Sequence, residues 1–135
     1  KEEDADELFQ QHIEAQCKRL RILGFTGTPI IRGNLNAMDK SLLPSLQTVC
    51  TEILNNIAKH GKPGAFAFVL SIESDEVRIF SSNLYSDAMN NVPENHYGTT
   101  LIQDFAQQHN GTMTINSENE EWSLSLAIPL THQTH

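Results

Sequence analysis

A chain of 135 residues with 39% hydrophobic content is long enough to form one domain with its own core, without disulfides or a structural metal. Its 17 acidic and 9 basic residues give a net charge of −8, and no Lys/Arg cluster interleaves with aromatics, so the composition excludes nucleic acid as a partner. No apolar run approaches the roughly 20 residues of a membrane span, the Lys1-Glu2-Glu3-Asp4 start is unlike a signal peptide, and the six histidines lack zinc-site spacing. The expectation is a cytoplasmic domain without direct membrane contact, in which Cys17 and Cys50 are buried thiols on apolar helix faces and not a disulfide.

In chain order, Asp4 to Leu23 reads as a helix whose stripe of Leu8, Ile13, Cys17, Leu20 and Leu23 is incomplete. Its dense polar cover suggests exposure along much of its length, or packing against something outside this chain. Gly24 to Pro29 has turn punctuation, and Ile30 to Gly33 suits a short strand. The next helix has Pro44 in its first turn and Ser41 or Ser45 as a cap. Gly61 to Gly64 forces a turn, after which Ala65 to Ile72 and Val77 to Ser81 form a hairpin across the acidic turn Glu73-Ser74-Asp75-Glu76. Leu84 to Tyr97 lacks periodicity and reads as a long, lid-like loop. A helix from about Thr99 to His109 stops at Asn110-Gly111, and two strands close the chain, one from Thr112 to Ile115 and one carrying Trp122, Leu124, Leu126 and Ile128. Thr131 to His135 reads as a frayed tail. Antiparallel hairpins with intervening helices argue for an α+β fold, a two-layer sandwich with a mostly antiparallel mixed sheet and helices on one face.

The second helix carries the most chemistry. Leu46, Val49, Cys50, Ile53, Leu54, Ile57 and Ala58 form a continuous apolar stripe at helical spacing. Glu52, Asn56 and His60, four apart, stack along its border with Lys59 beside them, so an acid, an amide and two potential cations meet the edge of the core where a ligand can reach them.

This helix and the order of the other segments resemble the ATP-binding catalytic domain of sensor histidine kinases, a branch of the GHKL (Bergerat-fold) ATPase superfamily. The resemblance spans roughly Ile30 to Leu130 and rests on four segments in order. Glu52-x-x-x-Asn56-x-x-Lys59-His60 looks like the family's N box, which implies Asn56 as the ligand of a magnesium ion bridging the nucleotide phosphates and Glu52 as the neighbouring catalytic acid or base. Lys59 and His60 would then face the phosphates. Val77-x-Ile79-x-Ser81-x-Asn83 looks like the strand entering the G1 box and places Asn83 where the family has the Asp that reads the adenine amino group. Gly98-Thr99-Thr100-Leu101-Ile102 through His109-Asn110-Gly111 looks like the last glycine of the G2 box and its helix, which implies that Gly98, Thr99 and Thr100 bind ATP. Trp122 to Leu130 looks like the terminal strand. A hard ion that keeps most of its waters needs only one or two protein oxygens, which suits a single Asn beside a Glu.

The sequence also departs from the family. Asn83-Leu84-Tyr85-Ser86-Asp87 replaces Asp-x-Gly-x-Gly, losing both glycines and the carboxylate, and Asn95-His96-Tyr97 stands before Gly98 without the earlier G2 glycines. An amide oxygen still accepts from adenine but without charge assistance, so weaker binding is expected. His12 is followed by Ile13, not by the acid that follows the family's phospho-acceptor, so the fragment should bind ATP without phosphorylating itself. The implied layout is residues 1–24 as the helical tail of a preceding dimerisation region and 25–135 as the ATP-binding domain. The implied cofactors are ATP and Mg2+, and the implied partners are a response regulator and the dimerisation/His-phosphotransfer helix of the same protein, with the whole as the cytoplasmic part of a membrane-anchored kinase. The alternatives are a degenerate, non-catalytic module that acts through protein contacts and an anti-sigma-type Ser kinase.

Overall fold

The computed structural model describes residues 2–35, 38–85 and 99–130, with side chains from residue 7 onward. Gly98, most of the lid-like loop and the tail from Thr131 lie outside the described residues. The elements follow the order α1 (Glu2–Ile22), β1 (Pro29–Arg32), α2 (Leu42–His60), β2 (Phe66–Ile72), β3 (Glu76–Leu84), α3 (Thr99–Gln108), β4 (Thr112–Glu118) and β5 (Glu121–Pro129). They build a five-stranded sheet in the order β1-β2-β3-β5-β4, parallel between β1 and β2 and antiparallel elsewhere. This is the expected α+β sandwich.

Alternation decides which face of the sheet is covered. Phe66, Phe68, Leu70 and Ile72 of β2, Val77 and Ile79 of β3, and Trp122, Leu124, Leu126 and Ile128 of β5 are buried, each two residues from the next. They form one core with Leu46, Val49, Cys50, Ile53, Leu54 and Ile57 of α2 and Ile102, Phe105 and Ala106 of α3. On the other face Phe80 stays 42% exposed, and Ile30 at the β1 edge is exposed as well.

The first helix departs from its expected stripe. Phe9, Ile13, Cys17 and Leu20 are the buried positions, whereas Leu8 and Leu23 are exposed. The spacing 9, 13, 17, 20 follows one helical face, which the substitution of Leu8 for Phe9 had broken. That face packs on α2 within this chain, where His12 Nε2 lies 2.7 Å from Thr51 Oγ1 and Arg19 donates to Asn55 Oδ1 at 3.2 Å. α1 therefore belongs to the common core, and its polar cover is simply its outer side.

Helix ends show two further departures. Ser41 stands before α2 but keeps helical dihedrals and makes no side-chain cap; instead its N–H donates to Asp39 Oδ1 at 3.0 Å. After α3, Asn110 turns left-handed at φ 58°, the Gly111 N–H reaches Ala106 O at 2.7 Å and the Asn110 N–H reaches Gln107 O at 3.3 Å. This paired bonding is the Schellman stop that Asn110-Gly111 led one to expect. β4 and β5 extend further toward each other than their apolar residues suggest, because Asn119 and Glu120 both take positive φ and close a tight hairpin without a glycine.

Both cysteines are free and fully buried. Burial pushes the Cys17 thiol up to about 11, with Glu14 adding to the effect and Arg21 opposing it, and burial raises Cys50 further still. Because thiolate is the reactive form, and raised values keep it scarce at pH 8, the native chain should leave both thiols unlabelled by a colorimetric disulfide reagent. Two thiols should react once denaturant is added, and prompt labelling of the native chain would contradict this packing.

Candidate functional site

Among the described residues four polar side chains are buried: Asn56 (3% exposed), Ser81 (0%), Asn83 (5%) and Thr99 (7%). Their distribution is not that of chance. Asn56 lies in the C-terminal half of α2, Ser81 and Asn83 on the last inward-facing positions of β3, and Thr99 at the start of α3. A buried polar group is costly unless something bonds it, so a concentration of them marks either a structural network or a binding site.

The joint between α2 and β3 fixes the geometry. A Cβ on Gly61 would lie 2.6 Å from Ile57 O, 2.9 Å from Asn83 Nδ2 and 3.1 Å from Phe25 Cε2, so only glycine lets the end of α2 meet the end of β3 this closely. Asn83 Nδ2 donates to Leu84 O at 2.9 Å, and the same carbonyl accepts the Lys62 N–H at 2.8 Å. Those two bonds occupy both lone pairs of the carbonyl. The Asn83 amide is thereby oriented, with its nitrogen committed to the backbone and its oxygen left as the acceptor. Just beyond, the Tyr85 N–H donates to Glu120 O at 2.9 Å and Lys62 Nζ lies 3.5 Å from Glu120 Oε1, which ties the β4–β5 turn to the same joint.

The N-box helix is more deeply set than its sequence implies. Asn56 is not on the border of the stripe but inside the core, and among the described residues its Nδ2 has no hydrogen-bond partner. Glu52 and His60, one turn on either side, are half-buried, and Lys59 is exposed. The tertiary fold moves the border inward because α2 is covered on two sides, by the sheet and by α1. The unpartnered atom is a donor and is not itself a cation ligand; the Oδ1 of the same amide, with the half-buried Glu52 carboxylate one turn away, is the kind of oxygen set that magnesium uses while keeping its waters. Asn56 would hold the ion, with Glu52 next to it.

The expected residues do not all converge. Thr99 is buried at the head of α3, but Thr100 faces the opposite way, into a cleft of about 570 Å³ lined also by Ser45, Thr48, Val49, Leu101 and Asp104. Thr48 precedes Asn56 by eight residues, about 12 Å along α2, so Thr100 opens onto the part of α2 about two turns before Asn56. Gly98 falls outside the described residues. His12, already engaged with Thr51, sits in the α1–α2 seam. Ser81 was not singled out from the sequence, yet it carries a signal: on the alternating inward phase Val77, Ile79, Ser81, Asn83, the hydroxyl falls where an apolar residue belongs.

These features define a two-layer α+β sandwich with buried polar side chains where the end of α2 meets the end of β3. Solved structures agree on the fold. The chain superposes on the catalytic domain of histidine kinase ThkA with a TM-score of 0.68 at 13% identity, covering 94% of this chain and 95% of that one. It matches histidine kinase AdeS of Acinetobacter baumannii with a TM-score of 0.65 at 9% identity, covering 96% and 65%. The blue-light activated histidine kinase EL346 of Erythrobacter litoralis gives 0.62 at 12%, covering 86% and 40%. No family model and no curated protein sequence matches. The chain has the fold of histidine-kinase catalytic domains, and the match to the isolated ThkA domain takes in α1, since 94% coverage leaves out only a few residues.

The Asn83 contact yields a test that separates this chain from the family pattern. Asn83→Asp introduces the acid of the resembled G1 pattern but sets a carboxylate against a carbonyl oxygen that has no proton to give. We expect a loss of about 1–3 kcal/mol and a Tm drop on the order of 3–10 °C at pH 7. Burial favours the neutral acid, so the deficit should be smallest below the usual carboxylate value and grow as pH rises through it. Thermal melts at pH 4 and pH 7 measure this, and an Asp variant as stable as the native chain at pH 7 would remove the amide's orienting role.

Proposed function

We propose that the chain is the ATP-binding catalytic domain of a bacterial two-component sensor histidine kinase, supplying the γ-phosphate for phosphorylation of a histidine on a dimerisation helix and so signalling to a response regulator. The observation that supports this is Asn56, buried in α2 with an amide nitrogen that has no partner among the described residues, in an N-box pattern five residues before Gly61 and its contact with Asn83. Phosphoryl transfer asks the protein mainly for positioning and charge neutralisation. Asn56 and Glu52 would supply the oxygens for magnesium, which neutralises phosphate charge when bound. Lys59 and His60, at the last turn of α2, would add positive charge at the mouth of the pocket. Asn83 would accept a hydrogen bond from the base.

The acceptor histidine is supplied by another helix in this reading. The 1–24 and 25–135 division is kept only as a connection point to a dimerisation region, since α1 shares the core of the domain. A cytoplasmic position in a membrane-anchored kinase is part of the same proposal; among the described residues no helix is long and apolar enough to cross a membrane.

One observation favours a second reading, a non-catalytic module of the same fold. The position that a charged G1 acid occupies in the family is here a neutral amide already bonded to its own backbone. Calorimetric titration decides between the two. The native chain should bind ATP in a magnesium-dependent manner, Asn56→Ala should weaken binding by at least about tenfold, and Asn56→Asp should alter the magnesium requirement. Absence of any nucleotide binding by the native chain at millimolar ATP and magnesium would favour the scaffold.

A further inference from the structure

The four buried polar side chains are not equally accounted for. Asn83 bonds the Leu84 carbonyl and Thr99 has an interaction within the fold, whereas Ser81 Oγ, like Asn56 Nδ2, has no partner among the described residues. Ser81 is the harder of the two to explain. It is completely buried, and its register partners on either side are Phe68 of β2 and Leu124 of β5, both apolar and buried. An unsatisfied hydroxyl in such a place is destabilising, and alanine would fill nearly the same volume without that cost. A hydroxyl kept there has a use outside the fold's own bonding.

Its position says what the use is. Ser81 and Asn83 share the inward face of β3, about 6.7 Å apart. Gly61 abuts Asn83; stepping from that contact into the domain by five residues of α2, about 7.5 Å, reaches Asn56 at the depth where two residues of β3 reach Ser81. The two orphaned groups thus stand a short way back along the two elements that the Gly61–Asn83 contact joins, with the oriented Asn83 amide at that contact. We infer that Ser81 is a base-reading residue of the nucleotide site, its hydroxyl satisfied by the nucleobase edge or by a water that the base encloses. This rests on the reading of the site as a nucleotide site. A purine presents adjacent donors and acceptors along one edge, and a hydroxyl that both donates and accepts complements the acceptor oxygen of Asn83.

The test compares the native chain with Ser81→Ala in thermal melts without nucleotide and in calorimetric titrations with ATP and inosine triphosphate, each with magnesium. Inosine carries a carbonyl where adenine carries its amino group. Ser81→Ala should keep or raise the Tm of the nucleotide-free chain, weaken ATP binding by about tenfold and shrink the preference for ATP over inosine triphosphate. A hydroxyl serving only the fold would do otherwise: its removal would lower the Tm and leave the base preference unchanged, and an unchanged preference overturns the inference whatever happens to the Tm. If the native chain binds neither nucleotide, the nucleotide-site reading falls and this inference with it. If the native chain binds ATP and Ser81→Ala binds both nucleotides as the native chain does, the inference alone falls.

Discussion

The carbonyl of Leu84 is the point on which the arrangement depends. It accepts one hydrogen bond from the turn that follows α2 and another from the Asn83 side chain, so the end of the helix, the end of the strand and the orientation of the amide are set by one acceptor. Gly61 makes the approach possible, since any Cβ there would collide with both the helix and the amide. A small error at this joint would displace every polar group in the pocket, because Asn56 and Ser81 are each only a few residues from it.

Around the joint, the core and the site impose opposite demands on the same surfaces. The inward faces of β2 and β5 are entirely apolar, as burial requires, and the inward face of β3 begins the same way at Val77 and Ile79 before turning polar at Ser81 and Asn83. The change occurs where β3 approaches the end of α2 that bears Asn56. Polar atoms that are unbonded among the described residues cost stability at this end, where continuing the apolar pattern would not.

The fold also stands without the glycines and the acid of the G1 pattern that the strand before Asn83 resembles. The glycines and the acid belong to loop geometry and ligand chemistry, whereas the sheet order and helix packing are held by the alternating strands and by the stripes of α1, α2 and α3. Structural relatives at 9–13% identity share the fold for the same reason: pattern and volume are retained while individual side chains change.

The sequence by itself determined the elements and the α+β class, because helical and strand periods and the Gly/Pro stops are local properties. It also contained Ser81 in an inward phase, although a single serine carries little weight until the neighbours that bury it are known. What lay beyond it was anything set by contacts distant in sequence. In α1 the sequence alone does not separate Phe9 from Leu8 as the buried position, since only α2 selects which face is covered. The helical stripe alone leaves Asn56 at its border, and the sheet and α1 together close over it. The Asn119-Glu120 turn had no glycine to announce it, because its left-handed pair is imposed by the register of the two strands. Only the tertiary structure, by bringing Gly61 against Asn83, decided which buried polar residues stand at the junction of α2 and β3.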